Sequence, residues 1–293
     1  MADIEKTRSE NVEGDFFVDS TCIDCDACRW IAPETFDSAG DMSRVHAQPT
    51  SPAAAFRALQ ALVACPTSSI GALCDHDVRA AAASFPEPIE PGETRIHHCG
   101  YHHRNTFGAA SYLIVREAGN VLVDSPRFAK PLVRRIEELG GVALLFLTHR
   151  DDVGDHERFA EHFGCERVLH ARDVRPSTRS VERLLEGDDP IALAPDLRVI
   201  PTPGHTPGSA CLILDDETLF SGDHVAWSPR AQRVHAFRDA CWYDWNVQIE
   251  SMRRLARERF TRILPGHGRR CRFEPDAMRR RMKACIEWME SVR

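Results

Sequence analysis

Four short segments in the second half of the chain each place a histidine or an aspartate next to glycine or proline, after an apolar run. They are Leu147–His156, Thr202–Ser209, Leu219–His224 and Ile263–Gly268. A rigid sheet can fix such strand-end loops, so that their imidazole and carboxylate groups are held in a defined arrangement. This combination of ligands suits zinc, iron or manganese. The segments therefore predict a metal site carried by a sheet.

Apolar, strand-like runs alternate with helical patterns in the part of the chain that carries these segments. The strand-like runs are Ala110–Val115, Val121–Asp124, Val142–Thr148, Arg167–His170, Leu197–Ile200, Cys211–Leu214 and Arg262–Leu264. The helix-like runs are Lys130–Leu139, Asp155–Phe163, Ser180–Glu186, Trp245–Arg259 and Pro275–Arg293. Strands followed by helices indicate a layered arrangement of sheets and helices.

In order and spacing the four segments resemble the metallo-β-lactamase superfamily over residues 94–270. The pieces 203–209, 221–223 and 265–268 match most closely, and Asp124 matches the family's early strand-end aspartate. The resemblance implies a four-layer αβ/βα sandwich with its metals at one edge of the two sheets. The fold class expected for the whole chain is α+β, a small N-terminal domain joined to this sandwich.

The first segment departs from the family pattern Thr-His-x-His-x-Asp-His. Asp151 stands where the second histidine is usual, and Asp152 follows it. In one register His149 is the first ligand, and Asp151 or Asp152 is the second. In the other register His149 is the second ligand, Asp151 takes the aspartate slot, and Asp152 takes that of the final histidine. We favour the first register because Thr148-His149 at a strand end is the better anchor.

The family's Asp-His pair comes late in this segment, as Asp155-His156. The metal ligands expected from the resemblance are His149, Asp151, Asp152, Asp155, His156, His205, Asp223 and His267. Asp223 is expected to bridge two metals and, with Asp155 and His156, to be catalytic. Two alternatives stay open: Asp155 as a residue favoured by the dipole at a helix N-terminus, and His156 as a surface histidine.

Cysteines at intervals of three mark a second metal site near the N-terminus. Cys22, Cys25 and Cys28 form a short loop that can wrap one face of an iron–sulfur cube, and Cys65, followed by Pro66, can supply the fourth ligand. A Cys-x2-Cys-x2-Cys run with a remote Cys-Pro is typical of bacterial ferredoxins. We therefore expect one [4Fe–4S] cluster. Zinc bound by four thiolates is the alternative, although zinc sites usually pair two Cys-x2-Cys knuckles.

The surroundings of these cysteines resemble single-cluster ferredoxins over residues 12–75, including Phe16–Asp19 and Ala32–Phe36. The composition then changes, and three prolines lie between Phe85 and Gly92. Such a stretch favours an extended linker. The sequence therefore predicts a ferredoxin-like domain over residues 1–84, a proline-rich linker over 85–93, and a metallo-β-lactamase-like domain over 94–293.

Two pairs of histidines, His97-His98 and His102-His103, flank Gly100 ahead of the metal-site segments. In the family fold this region often overhangs the site. We interpret the pairs as part of a solvated loop rather than as a ligand set.

Composition and charge limit the classes of partner that we expect for this protein. The 293 residues carry a net charge of −7 with mixed signs, so nothing indicates a nucleic-acid-binding surface. No apolar run reaches the length of a membrane span, and residues 1–13 lack the hydrophobic core of a secretory signal. We expect a cytoplasmic protein with a small-molecule substrate and, additionally, a redox partner protein. The sequence leaves the oligomeric state open.

Three hypotheses cover the chemistry. The leading one is metal-dependent hydrolysis of an ester, thioester, lactone or phosphoester by one or two zinc or iron ions, which activate water. The second is a di-iron oxidoreductase that acts on O2, NO or an organic substrate with electrons from the fused cluster. Asp151 motivates it, because a carboxylate in place of an imidazole favours a harder metal such as iron. The third is a redox sensor or binding module without turnover.

Overall fold

The computed structural model describes residues 2–293, and the chain divides into two compact units that we treat separately. The first unit comprises the chain up to Ala143 together with Gly154–Gly164, and the second comprises Leu144–Val153 and Cys165–Arg293. The first unit contains both the cysteine-rich segment and the strands that follow the proline-rich stretch. The domain boundaries expected from the sequence stay a prediction.

The first unit is built from short strands and helices. Its strands are β1 (Phe16–Val18), β2 (Phe36–Ala39), β3 (Met42–Val45), β4 (Ile70–Ala72), β5 (Glu87–Pro88), β6 (Ile96–His98), β7 (Tyr112–Ile114) and β8 (Val121–Val123). Its helices are α1 (Ala27–Ile31), α2 (Pro52–Ala64), α3 (Arg79–Ala83), α4 (Lys130–Glu138) and α5 (His156–Phe163). Antiparallel pairing joins β1 to β4, β2 to β3, and β5 through β8 in sequence order.

The proline-rich stretch contains the two-residue strand β5 and is fixed to its surroundings. The side chain of Phe85 is fully buried, and Glu87 in β5 pairs with His98 in β6. The carboxylate of Glu87 also accepts from Arg57 of α2 at 3.0 Å. A strand pairing, a buried ring and an ion pair make this stretch part of the folded first unit.

The second unit carries two sets of paired strands and two long helices. Its strands are β9 (Leu144–Phe146), β10 (Glu166–His170), β11 (Arg183–Leu185), β12 (Ile191–Ala194), β13 (Leu197–Pro201), β14 (Ala210–Leu214), β15 (Thr218–Gly222), β16 (Ala226–Ser228), β17 (Arg233–His235), β18 (Arg262–Pro265) and β19 (Cys271–Arg272). Its helices are α6 (Trp245–Leu255) and α7 (Pro275–Ser291). Parallel pairing joins β9, β10 and β11, while a six-stranded sheet has the order β12-β13-β14-β15-β18-β19.

Helices α6 and α7 form a hydrophobic core with the six-stranded sheet. Asp244 begins α6, because its side chain accepts from the N–H groups of Asn246 and Val247 at 2.8 and 3.0 Å. The buried side chains of this core include Ile213, Leu219, Ile249, Met252, Ile263, Met278, Met282 and Met289. No helix within residues 2–293 is long and apolar enough to cross a lipid bilayer.

The helix expected over Ser180–Glu186 is wrong, because this stretch contains the parallel strand β11. Arg167 of β10 is responsible in part. Its guanidinium donates to the carboxylate of Glu182 and to the carbonyl of Ser180, both at 2.6 Å. These contacts, with main-chain pairing to β10, outweigh the local preference for a helix. Strands and helices occur in both units, and the expected α+β class is confirmed.

Candidate metal centre and cluster site

The candidate metal ligands of the second unit all lie just beyond the ends of strands. His149 follows β9, His205 follows β13, Asp223 follows β15, and His267 follows β18. The strands are buried and paired, so they fix where each loop begins. The loops can therefore hold their side chains in a defined arrangement.

His149 and His205 both direct their Nε2 atoms toward the carboxylate of Asp223. Their Nε2 atoms lie 3.8 and 3.7 Å from Asp223 Oδ2. Asp151 Oδ2 lies 3.7 Å from the Nε2 of His205, and Asp152 Oδ2 lies 4.0 Å from that of His149. The ligand atoms form two overlapping groups, each within 4.8 Å: His149–Asp151–His205 and His149–Asp152–Asp223.

The two histidines each present a ring nitrogen that suits a cation. The Nδ1 of His205 lies 2.6 Å from the carbonyl oxygen of Ala240, so it carries the proton and Nε2 keeps its lone pair. The Nδ1 of His149 lies 3.0 Å from the Thr148 hydroxyl. Both Nε2 atoms are buried, and neither has a hydrogen-bond partner among residues 2–293. A divalent cation satisfies such buried lone pairs beside carboxylates, so the residues fit a metal.

Two glycines allow the loops to approach this closely. Gly222 has a φ of +48°, a conformation that favours glycine, and a Cβ there would clash with the Thr148 hydroxyl. A Cβ on Gly266 would lie 2.8 Å from Asp152 Oδ2 and 3.0 Å from Asp223 Oδ1. The glycines in the Ser-Gly-Asp and Pro-Gly-His patterns thus reflect close packing of main chain against the candidate ligands.

His267 contacts the same central carboxylate through its Nδ1 atom. This nitrogen lies 2.8 and 2.9 Å from the two oxygens of Asp223. Within the described part of the chain, neither group of candidate ligand atoms includes His267. Its assignment as a metal ligand stays a prediction.

Burial and neighbouring charges set the protonation states of the site. Burial lowers the pKa of His149 to about 3. Burial alone would raise the pKa of Asp223, but His267, His149 and His205 around it bring that pKa below its usual range. Burial raises the pKa of Asp151. A neutral His149 imidazole beside the ionised carboxylate of Asp223 is the combination that binds a metal cation.

Asp173, a buried aspartate that no sequence motif marks, joins two of the ligand loops. Its Oδ2 accepts from the N–H of Arg150 at 3.0 Å and from the hydroxyl of Thr206 at 2.5 Å. Its Oδ1 accepts from the N–H of Gly208 at 2.8 Å. Arg150 and Thr206 each directly follow a candidate ligand histidine. Asp173 therefore links the two loops that carry His149 and His205. No motif marks it, since it lies in a short turn after β10 and far in sequence from both loops.

Replacing Asp173 with asparagine should destabilise the protein and disorder the metal site. One carboxylate oxygen becomes an amide N–H that faces a donor, so we expect a loss of about 1.5–3 kcal/mol in the free energy of unfolding. Urea unfolding and metal content measure both effects. Asp188→Asn is the matched control, because it breaks an exposed ion pair with Arg172 that contributes at most about 1 kcal/mol. A D173N protein that equals D188N in stability and metal content would contradict this role.

Asp155 and His156 lie in the first unit. Asp155 stands at the N-terminus of α5, where its Oδ2 accepts from the N–H of Phe128 at 2.7 Å. Arg158 and His103 lie 3.6 and 3.8 Å from the same carboxylate. His156 is buried, so its interpretation as a surface histidine is wrong. The metal-binding and catalytic roles of the two residues stay predictions.

A second candidate site lies in the first unit, around a small cavity. The cavity is lined by all four candidate cluster ligands, Cys22, Cys25, Cys28 and Cys65. The N–H groups of Ser43 and Ser69 donate to the sulfurs of Cys22 and Cys65 at 3.5 and 3.3 Å. Burial raises the pKa of Cys28 to about 12, so a thiolate there requires a bound cation. Four converging thiols in an apolar cavity fit an iron–sulfur cluster.

A loop after the proline-rich stretch packs directly onto the cluster cysteines. A Cβ on Gly108 would lie 2.6 Å from Cys25 Cβ and 3.0 Å from its sulfur. The N–H of His102 donates to the carbonyl of Ala64, which directly precedes Cys65, at 3.2 Å. This loop therefore contacts the cysteine-rich segment at two points, beside Cys25 and beside Cys65.

The histidines of this loop are buried, so the prediction of a solvated loop is wrong for them. His98 is fully buried and His102 nearly so. Their Nε2 atoms lie 3.1 Å apart, and the Nδ1 of His102 lies 2.5 Å from the Gly108 carbonyl oxygen. The ring of Trp30, two residues after Cys28, lies 4.7 Å from that of His98. The cysteine-rich segment covers these histidines, a contact that the local sequence does not reveal.

Comparison with known protein families identifies both segments. Residues 98–279, more than half of the chain, match the family model of the metallo-beta-lactamase superfamily. The chain belongs to the metallo-beta-lactamase superfamily. Residues 18–72 match the model of the 4Fe-4S single cluster domain of Ferredoxin I. The two resemblances stated from the sequence are thereby confirmed.

Individual relatives of this superfamily member are distant. A hydroxyacylglutathione hydrolase of Rhodospirillum rubrum is 32% identical over 117 residues, which are 38% of this chain and 46% of that protein. The match thus spans less than half of that relative's length. The uncharacterized protein YobT of Bacillus subtilis is 27% identical over 59% of this chain and 88% of its own length. The DIM-1 metallo-beta-lactamase exposed to ceftazidime has a TM-score of 0.52 at 18% identity, covering 69% of this chain and 95% of that chain, and shows the fold alone.

Proposed function

We propose that the protein is a metal-dependent hydrolase of thioesters or esters that carries an iron–sulfur cluster on the same chain. One observation carries the proposal: the buried Nε2 atoms of His149 and His205, without hydrogen-bond partners in the described chain, converge on the carboxylate of Asp223. Membership of the metallo-beta-lactamase superfamily supports hydrolysis. The relative named a hydroxyacylglutathione hydrolase supports a thioester as the first substrate class to test.

The two overlapping groups of candidate ligand atoms support two metal positions. One divalent metal would be held by His149, Asp151 and His205, and a second by His149 or His267 with Asp152 and Asp223. When bound, such a metal lowers the pKa of its water and polarises the scissile carbonyl. The protein fixes the rings of its two central histidines through Thr148 and Ala240.

Asp151 and Arg150 define the accessible side of this arrangement. The side chain of Asp151 is 47% exposed, whereas those of His149 and His205 are almost fully buried. Substrate is therefore expected to enter beside Asp151. The Arg150 Nε lies 3.9 Å from Asp151 Oδ1 and offsets part of the negative charge there. Arg150 would also attract an anionic group of a substrate.

Metal removal tests the proposal directly. Chelation under anaerobic conditions should abolish hydrolysis of a hydroxyacyl thioester of glutathione, and added zinc should restore it, because His149 and His205 need a cation between them. Cys25→Ala is the control, since the cluster is not required for the hydrolytic step and activity should persist. Activity that survives chelation would contradict the proposal. So would the absence of turnover with thioesters, esters, lactones and phosphoesters alike.

A di-iron oxidoreductase is the second candidate, and the two aspartates of the first motif favour it. Asp151 and Asp152 each join one of the two ligand groups, which makes the site rich in carboxylate oxygens that suit iron. Under this alternative, the reduced cluster should be re-oxidised rapidly when O2 or NO is added. The re-oxidation should slow in a His205→Ala protein. Sluggish re-oxidation in the unmodified protein would eliminate this candidate.

A further inference from the structure

The segment 240–244, which we call the aromatic loop, wraps around His205. The carbonyl of Ala240 accepts from the Nδ1 of His205 at 2.6 Å, and the N–H of Trp242 donates to the His205 carbonyl at 3.0 Å. The thiol of Cys241 donates to the Gly204 carbonyl at 3.2 Å. The loop is thus fixed to the main chain and to the ring of a candidate metal ligand.

The aromatic loop leaves two large aromatic side chains in water beside the metal site. Trp242 is 63% exposed and its neighbour Tyr243 is 54% exposed. The ring centroid of Trp242 lies 6.3 Å from that of His205. Nothing in the first segment's motif or in the other ligand motifs requires aromatic residues here. An exposed indole on a hydrogen-bonded loop is a rigid, mostly apolar surface that loses little entropy when it stacks on a ligand.

An exposed carboxylate also lies next to His205. Asp151, whose Oδ2 is 3.7 Å from His205 Nε2, is the most exposed of the candidate ligands. A substrate whose carbonyl reached this position would place the rest of its acyl group close to His205. The indole of Trp242 lies beside the His205 ring, with the two ring centroids 6.3 Å apart. A flat apolar acyl group fits it best, because stacking needs a planar partner.

We propose that Trp242 determines specificity by stacking on an aromatic acyl group, so that the preferred substrates are aromatic acyl thioesters. This inference rests on the proposed hydrolysis and names its substrate class. In the reaction, water adds its oxygen to the acyl carbon, the C–S bond breaks, and the sulfur leaves with a proton. The products are an aromatic carboxylic acid and a thiol, so no oxidant or reductant is needed.

A pair of thioesters that differ only in the acyl group tests this role. The benzoyl and acetyl thioesters of N-acetylcysteamine would be compared with the unmodified protein, Trp242→Ala and Trp242→Phe. Trp242→Ala should raise KM for the benzoyl thioester about 3- to 10-fold, the usual range for a lost aromatic contact, and change KM for the acetyl thioester less than about 2-fold. Trp242→Phe, which keeps an aromatic ring, should retain most of the preference for the benzoyl thioester over the acetyl thioester. Leu184→Ala, which removes an exposed apolar side chain of β11, is the matched control.

A binding measurement separates this inference from the proposed hydrolysis. The S-benzyl thioether of N-acetylcysteamine should quench the part of the tryptophan fluorescence that is lost in Trp242→Phe. Quenching without hydrolysis of any thioester would leave stacking intact and overturn the proposed function. Hydrolysis in which Trp242→Ala alters both thioesters equally, without quenching by the thioether, would overturn the role of Trp242.

Discussion

The Gly108→Ala protein is expected to lose most of its iron–sulfur cluster while the metal centre of the second unit stays occupied. Gly108 lies outside the residues that match the ferredoxin family model, yet a Cβ there would lie 2.6 Å from Cys25 Cβ. Real Cβ atoms do not come that close, so either the loop or Cys25 must move. Ordinary contact begins near 3.4 Å, so the required movement exceeds the roughly 0.5 Å within which a cluster ligand must be held. Iron content and visible absorption of the anaerobic protein measure the loss.

Gly92→Ala is a matched control for this variant. Gly92 has a φ of +84° and Gly108 a φ of +83°, so alanine meets the same left-handed backbone at both. That conformation costs alanine on the order of 1 kcal/mol. No heavy atom lies within 4 Å of a Cβ built on Gly92. Gly92→Ala should therefore keep its cluster. Equal iron contents in the two variants would show that the loop does not press on Cys25.

The Asp223→Ala protein is expected to lose both the metal of the second unit and hydrolytic activity. Asp223 is the carboxylate on which the Nε2 atoms of His149 and His205 converge, and it also holds His267. Loss of a residue that only orients a ligand costs about 10- to 100-fold in affinity or activity, and the loss of a central ligand should exceed that. Metal analysis and kcat/KM for the thioester measure the effect.

The control for this variant is Asp239→Ala, which removes an exposed carboxylate from the segment just before the aromatic loop. It should keep both its metal and its activity. The iron of the cluster should also be unchanged in Asp223→Ala, because the four cysteines belong to the first unit. An Asp223→Ala protein with its full metal content would show that Asp223 is not a metal ligand.

The sequence indicates candidate ligands most directly where a ligand residue and a glycine required by the backbone are adjacent along the chain. Gly222 precedes Asp223 and Gly266 precedes His267. The glycine that permits close main-chain approach is therefore the sequence neighbour of the candidate ligand. The cysteine run of the cluster site is equally local. Such segments can be recognised without knowledge of the fold.

Contacts between segments that are distant in sequence could not be predicted. Asp173 has no motif, because its role consists of hydrogen bonds to two loops on either side of it in the chain. His98 and His102 have the composition of a solvated turn, and only their contacts with the cysteine-rich segment bury them. The altered first motif also left open which aspartate joins which histidine. The structure brings Asp151 to His205 and Asp152 to His149.

Metal analysis of the protein purified without oxygen tests the central claim most directly. We expect about four iron atoms per chain, held by the four cysteines, and one or two zinc ions in the second unit. About six iron atoms per chain without zinc would contradict a zinc hydrolase and favour the di-iron oxidoreductase. Zinc without any iron would contradict the cluster itself.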